Sequence, residues 1–176
     1  ATGFYNFMYG SSVSGATWQY TLASNSYRYS YQYYIPATIR NVIITCDTTI
    51  PVAAFNNCSM IENITIPTNT ESIGSAAFAA CTSLSRLNSS TDGIANIPET
   101  TTAISYRAFN QCVTLSEINL SNGVTSIGDY AFAKCSLLSK FNSSEYAELI
   151  IPENCESIGA YAFEGLGLIE TLVVSD

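Results

Sequence analysis

Val124-Thr125-Ser126-Ile127-Gly128-Asp129-Tyr130-Ala131-Phe132-Ala133-Lys134-Cys135-Ser136-Leu137-Leu138 is the stretch that decides how this chain is read. Its Ala-Phe pair recurs at Ala54-Phe55, Ala77-Phe78, Ala108-Phe109 and Ala162-Phe163. From Phe to Phe the spacings are 23, 31, 23 and 31 residues. A phrase returning every 20–50 residues marks a solenoid, whose units bury their apolar faces only against one another.

Working outward, each unit reads L-x-x-I-x-I-P-x-x-x-x-S-I-G-x-x-A-F-x-x-C-x-x-L. Ile61 to Ile66, Leu115 to Leu120 and Ile169 to Val174 exemplify its first segment, with apolar residues at the first, fourth and sixth places. That pattern predicts one short strand per coil, stacked into a parallel sheet with about 4.8 Å between rungs. Pro36, Pro67, Pro98 and Pro152 close four of these segments, where a residue without an N–H does least harm. Gly74, Gly128 and Gly159 follow a second apolar touch and suggest a turn that profits from positive φ, although Ser105 at this place in one unit means that positive φ is not obligatory. The Ala-Phe pair is expected on one helical turn, with Phe inserted between coils.

These residues resemble the BspA-like, or Treponema-type, leucine-rich repeat. Its phrase I-P-x-x-V-T-S-I-G-x-x-A-F-x-x-C-x-x-L is matched nearly letter for letter by Val124 to Leu138, well by residues 65–84 and 151–163, and less by 97–115. The resemblance covers about residues 33–174 and departs at the last unit, where Leu166 replaces Cys between Gly165 and Gly167. It implies a mostly β, α/β repeat: a right-handed leucine-rich-repeat solenoid with a parallel sheet and short helical turns. It also implies an extracellular or cell-surface protein built for adhesion and protein binding, without catalysis.

Two units carry eight extra residues just after the strand, between Leu87 and Pro98 and between Phe141 and Pro152. Asp92-Gly93 is a turn dipeptide, so a small hairpin is expected there. Insertions of a repeat protein gather on one face and often bear its site. Outward strand places put Arg40 beside Glu62, and Arg86, Glu117 and Lys140 in one column, predicting a ladder of alternating charge. The candidate ligand-binding residues are therefore Arg86, Asn88, Asp92, Glu117, Lys140, Asn142 and Tyr146. The two insertions are expected two coils, or about 10 Å, apart.

Residues 1–34 lack the repeat and are read as an aromatic, Ser-rich segment packed on or capping the solenoid of residues 35–176. Tyr27, Tyr29, Tyr31 and Tyr33 alternate strictly, which argues a strand with one aromatic face. Such a face is either a local pad or a platform for sugars.

Cys58, Cys81, Cys112 and Cys135 share one repeat position and predict an interior column of unpaired thiols. Metal spacing of the C-x-x-C kind is absent, so zinc fits poorly. Cys46 and Cys155 stand outside the column. With no histidine, Ser-His-Asp and Cys-His catalysis are impossible within these 176 residues. A net charge of −8 with six Lys plus Arg opposes nucleic-acid binding. No run of 18 apolar residues exists, so no membrane span is expected. The expected partner is a host or neighbouring-cell surface protein; a glycan ligand or a purely structural spacer are the alternatives. No cofactor and no metal are expected. The uncapped strand Leu172 to Val174 predicts that copies can associate end to end.

Overall fold

The computed structural model describes residues 16–22, 30–45 and 47–174, with side chains from residue 35 onward. Strands are labelled in chain order. β1 (Ala16–Leu22) and β2 (Ser30–Pro36) form an antiparallel pair in which Trp18 lies opposite Tyr34. Tyr27 and Tyr29 lie outside the described residues, as do the side chains of Trp18, Tyr31 and Tyr33, and with them the expected aromatic face.

From residue 41 onward the chain winds as a solenoid of about six turns. One face of it holds β3 (Asn41–Ile43), β5 (Asn63–Thr65), β7 (Arg86–Leu87), β8 (Ile94–Asn96), β10 (Glu117–Asn119) and β12 (Lys140–Phe141), all parallel and in that order. β13 (Glu148–Ile150) packs beside β12 and pairs in parallel with β15 (Thr171–Val173). A second parallel face holds β4 (Thr49–Ile50), β6 (Ser72–Ile73), β9 (Ala103–Ile104), β11 (Ser126–Ile127) and β14 (Ser157–Ile158). In the inner coils the inward places are those expected: Ile61, Ile64, Ile66, Leu84, Leu87, Leu115, Ile118, Leu120, Leu138 and Phe141 are all buried in one core. By contrast Leu172 and Val174 of the last described segment, with no further coil against them among the described residues, are 61% and 64% exposed.

No helix occurs among the described residues, which corrects the expected helical turn around Ala-Phe. A run of tight turns stands in its place. Ala77 N–H bonds to Gly74 O, Ala79 N–H to Ala76 O and Cys81 N–H to Phe78 O. The alternate donors point along the axis: Ala76, Phe78 and Ala80 donate to the carbonyls of Tyr106, Ala108 and Asn110 at 2.8, 2.9 and 2.7 Å. The same triplet joins residues 107, 109 and 111 to 129, 131 and 133, and residues 130, 132 and 134 to 160, 162 and 164. A helix would point every N–H along its own axis and leave nothing for the neighbouring coil. The arrangement instead satisfies each donor and makes a third ladder between coils. It requires left-handed backbone at Ala76, Ala80, Arg107, Gln111, Tyr130 and Lys134, with φ between 53° and 62°. Each such residue costs on the order of 1–2 kcal/mol, which the inter-coil bonds offset.

The glycines act differently from expectation. Gly74, Gly128 and Gly159 are not among the residues of positive φ. A Cβ on Gly74 would stand 2.7 Å from Ile50 O, and one on Gly128 would stand 2.6 Å from Tyr106 N. Close passage of one coil's backbone over the previous one excludes a side chain here.

The Phe rings stack through the interior. Phe55, Phe78, Phe109 and Phe132 succeed one another at 5.7, 5.1 and 5.5 Å between centroids, and Phe163 continues the column 5.7 Å from Phe132. Beside it runs the expected thiol column. Cys81, Cys112 and Cys135 are fully buried, and each donates its S–H to the Phe carbonyl of the preceding coil: Phe55 O at 3.0 Å, Phe78 O at 3.1 Å and Phe109 O at 3.0 Å. Cysteine is therefore more than a filler of the right size, because its S–H adds an inter-coil donor to a carbonyl that already closes the turn of the preceding coil. Cys155 is half-buried outside this column, and Cys46 lies outside the described residues.

Candidate functional site

Each insertion builds a rung of its own. After Leu87 the chain leaves the sheet, makes the excursion 88–93, and returns as β8 parallel to β7, with Arg86 opposite Ile94 and Leu87 opposite Ala95. The expected hairpin is thus absent. A hairpin would send the chain backwards, whereas the coil must continue in one direction to Ile97 and Pro98. Parallel neighbours ordinarily need a long crossover. Here β7 is only two residues long, so a short return suffices, and Gly93 N–H bonds to Ser85 O at 2.7 Å beside the start of β7. Gly93 takes φ 82°, and a Cβ there would meet Ser116 Oγ at 2.3 Å. β13 likewise follows β12 and packs beside it, but its hydrogen-bonded partner is β15. The sheet of the first face therefore carries one added rung, β8, and β13 begins a further parallel pair beside it. Between β7 and β12 lie β8 and β10, so the two excursions are roughly 14 Å apart rather than 10 Å.

Asn88 and Asn142 start the two excursions, and the structure commits both amides to the fold. In an uninterrupted coil Ile44 N–H finds Thr65 O on the next rung at 2.8 Å. Where the chain turns away, a side chain replaces that carbonyl. Asn88 Oδ1 accepts from Ile66 N–H and Asn142 Oδ1 from Leu120 N–H, both at 2.8 Å. Both asparagines have φ near 50°, a conformation this residue type tolerates better than most. Asn142→Ala leaves a buried donor unmatched and is expected to cost about 1–3 kcal/mol. Chemical denaturation of the variant reads this directly; a shift of only a few tenths would show that the amide does not complete the ladder.

The charge column is interrupted. Arg40 Nε lies 3.6 Å from Glu62 Oε1, as the ladder requires. Ile94 of the inserted rung then separates Arg86 from Glu117. Arg86 turns to Asp92 of its own excursion, with Nε 3.4 Å from Oδ1; the angle makes this an ion-pair contact without a hydrogen bond. Glu117 lies opposite Lys140, but its Oε1 accepts from Ser143 Oγ at 3.1 Å. Asp92, Lys140 and Tyr146 stand exposed, and 69% of Tyr146 faces solvent. Lys140 and Tyr146 stand open for a partner, and Asp92, though it faces Arg86 and Ser85, still exposes most of its carboxylate, while Arg86, Asn88, Glu117 and Asn142 hold the excursions in place.

Beside the first excursion lies an open groove of about 690 Å³, lined by Asn63, Thr65, Asn88, Ser89, Asn96 and Glu99 among others. Its amides are largely spent on one another: Asn96 Nδ2 donates to Asn88 O at 2.9 Å, and Asn119 Nδ2 to Asn96 Oδ1 at 2.8 Å. Among the described residues no cluster of three His, Cys, Asp or Glu side chains forms a metal site, and no helix is long and apolar enough to cross a membrane.

One exposed group escaped the sequence reading. Tyr106, Arg107, Tyr130 and Tyr161 stack along the outside of the turn ladder. Tyr106 and Tyr130 occupy adjacent, non-equivalent columns of the repeat, so aligning unit on unit separates residues that the coil brings together. The signal was present in the two variable places before each Ala-Phe pair, which read Tyr-Arg, Asp-Tyr and Ala-Tyr in successive units.

A family model for the BspA-type leucine-rich repeat region, in six copies, matches residues 48–176. The chain belongs to the BspA-type leucine-rich repeat family. Among solved structures, a leucine-rich repeat protein of Treponema pallidum is similar at 23% identity and TM-score 0.62, over 76% of this chain and 61% of that one. A leucine-rich repeat protein of Bacteroides ovatus is similar at 23% identity and TM-score 0.60, over 94% of this chain and 41% of its own. A leucine-rich cell-surface protein of Faecalibacterium prausnitzii shares 22% identity at TM-score 0.58, over 91% and 46%. At these identities the likeness is one of fold, and this BspA-type chain spans 41% to 61% of the length of those three structures. No curated protein matches the sequence.

Proposed function

We propose that this chain is a cell-surface or secreted binding scaffold for adhesion, which engages a protein of a host or neighbouring cell and performs no catalysis. The observation that carries the reading is the doubled insertion. At the same point of two coils the chain makes an excursion and returns beside the strand it left, as β8 paired with β7 and β13 packed beside β12, leaving Asp92, Lys140 and Tyr146 exposed to solvent. A rigid face with spaced projections suits a broad protein contact, in which an aromatic anchor and charged rim residues share the work. The cell-surface description of the Faecalibacterium protein supports the location.

The test is binding to a panel of purified extracellular-matrix and cell-surface proteins immobilised beside an array of oligosaccharides. Saturable binding to a protein is expected, weakened at least about tenfold by the triple variant Asp92→Ala, Lys140→Ala, Tyr146→Ala. All three side chains are exposed, and loss of the Asp92 contact with Arg86 should cost no more than about 1 kcal/mol, so the fold should persist. Binding confined to the oligosaccharides, or untouched by the triple variant, would contradict the reading.

A further inference from the structure

The tyrosine–arginine stack on the turn side lies away from the insertions in the path of the coil, between the second face and the Ala-Phe turns. Arg107 places its guanidinium carbon 5.0 Å from the centroid of the Tyr106 ring and 5.2 Å from that of Tyr130. Tyr130 stacks on Tyr161 at 5.0 Å with the planes 17° apart, and meets Tyr106 edge-on at 6.3 Å. The result is a continuous stripe running with the axis, with Arg107 and Tyr106 exposed and Tyr130 half-buried. The solenoid does not need it: the equivalent places in the two preceding coils are Val52-Ala53 and Ser75-Ala76.

Arg107 also differs from its fellow cations. Arg40 and Arg86 each face a carboxylate, whereas Arg107, among the described residues, has neither an ion pair nor a hydrogen-bond acceptor. Two aromatic rings hold an unneutralised guanidinium at the surface of a chain whose net charge is −8.

We propose that Tyr106, Arg107, Tyr130 and Tyr161 form a second docking surface, which receives a protein segment presenting one Asp or Glu carboxylate flanked by apolar side chains. This rests on the reading of the chain as a protein-binding scaffold. The chemistry selects the ligand. Sugar stacking favours a run of open ring faces, but here Tyr130 lies against Tyr161 and the guanidinium, and Tyr161, 62% exposed, stands alone at the end of the stack. Ring edges are electropositive and the guanidinium offers paired donors, so the complement is an anion taken bidentately. A polyanion such as a sulfated glycan is opposed by the overall charge and by exposed Asp129 and Glu164 on adjoining coils. A single carboxylate avoids that repulsion, and its apolar neighbours find the tyrosine rings. Tyr and Arg are also the residues most often responsible for affinity at protein interfaces.

The test starts with a displayed library of random linear dodecapeptides selected on the whole chain. Selected peptides are then synthesised and titrated by fluorescence anisotropy against the wild type, Arg107→Ala, Arg107→Lys, Tyr106→Ala and the triple insertion variant, with heparin as competitor. Peptides carrying Asp or Glu beside apolar residues are expected. Their affinity should fall at least about tenfold in Arg107→Ala and Tyr106→Ala, recover only partly in Arg107→Lys because the paired donors are lost, and stay unchanged in the insertion variant. Failure to select any peptide, selection of peptides without a carboxylate, or affinity indifferent to Arg107 would overturn the stripe as a docking surface. Peptides lost only in the insertion variant would do so while leaving protein binding as the chain's function. Displacement by heparin would make a sulfated glycan the ligand instead.

Discussion

Phe109→Ala is expected to destabilise the solenoid by about 3–5 kcal/mol, toward the upper end of that range. The ring is fully buried and stacks on both neighbours, 5.1 Å from Phe78 and 5.5 Å from Phe132. Truncation therefore opens a cavity on the axis and removes two aromatic contacts together. Because coils touch only their neighbours, the damage should stay local. Amide exchange should quicken around Phe78 and Phe132 and remain nearly unchanged at residues 41–50. Phe163 packs on Phe132 and edge-on to Phe141, but it is only half-buried, so Phe163→Ala should cost less. Equal costs for the two variants would show that the stack does not bear the stability of the array.

Alkali is expected to loosen the chain through its thiols. Burial pushes the Cys135 thiol from 9.0 up to about 12, and a backbone hydrogen bond from Cys112 recovers only part of that shift. Burial also raises Cys81 and Cys112, each with a further contribution from the thiols of adjoining coils. A raised value means that the folded chain keeps a proton the unfolded chain releases. The stabilisation is whole below about pH 9 and is lost as pH climbs toward 12. For Cys135 alone the full loss approaches about 4 kcal/mol. Cys135→Ser cannot titrate there, yet its hydroxyl can still donate to Phe109 O. Its unfolding free energy should therefore fall less steeply above pH 9 than that of the wild type. Parallel slopes would mean that the thiol is not held in the dry interior. Native alkylation of Cys81, Cys112 and Cys135 at pH 8 should be correspondingly slow.

Much of this architecture was readable because a repeat states the same constraint several times. Ile64, Leu87, Ile118 and Phe141 recur at one place and fall inside together, and the thiol column follows from the same arithmetic. What escaped the sequence is what neighbouring coils impose. Ala76, Arg107 and Tyr130 are not residue types that announce left-handed backbone; they adopt it because their N–H groups bond to the next coil. Gly128 looked like a turn former and is instead a point of contact between backbones. Asp92-Gly93 carried an ordinary hairpin signal, overridden because a coil cannot reverse direction. Of the candidate site, the place of the insertions was legible. The duty of Asn88 and Asn142 was not, since an amide that mimics a missing carbonyl looks like any exposed asparagine in the sequence.

Amide hydrogen exchange, recorded with and without the protein bound most tightly from the immobilised panel, tests the binding role most directly. Protection should concentrate at residues 86–96 and 140–150, the two excursions and the rungs that carry them, with the interior around Phe78 and Phe109 unaltered. Exchange unchanged at both excursions when the partner is saturating would contradict the assignment of that face as the contact surface.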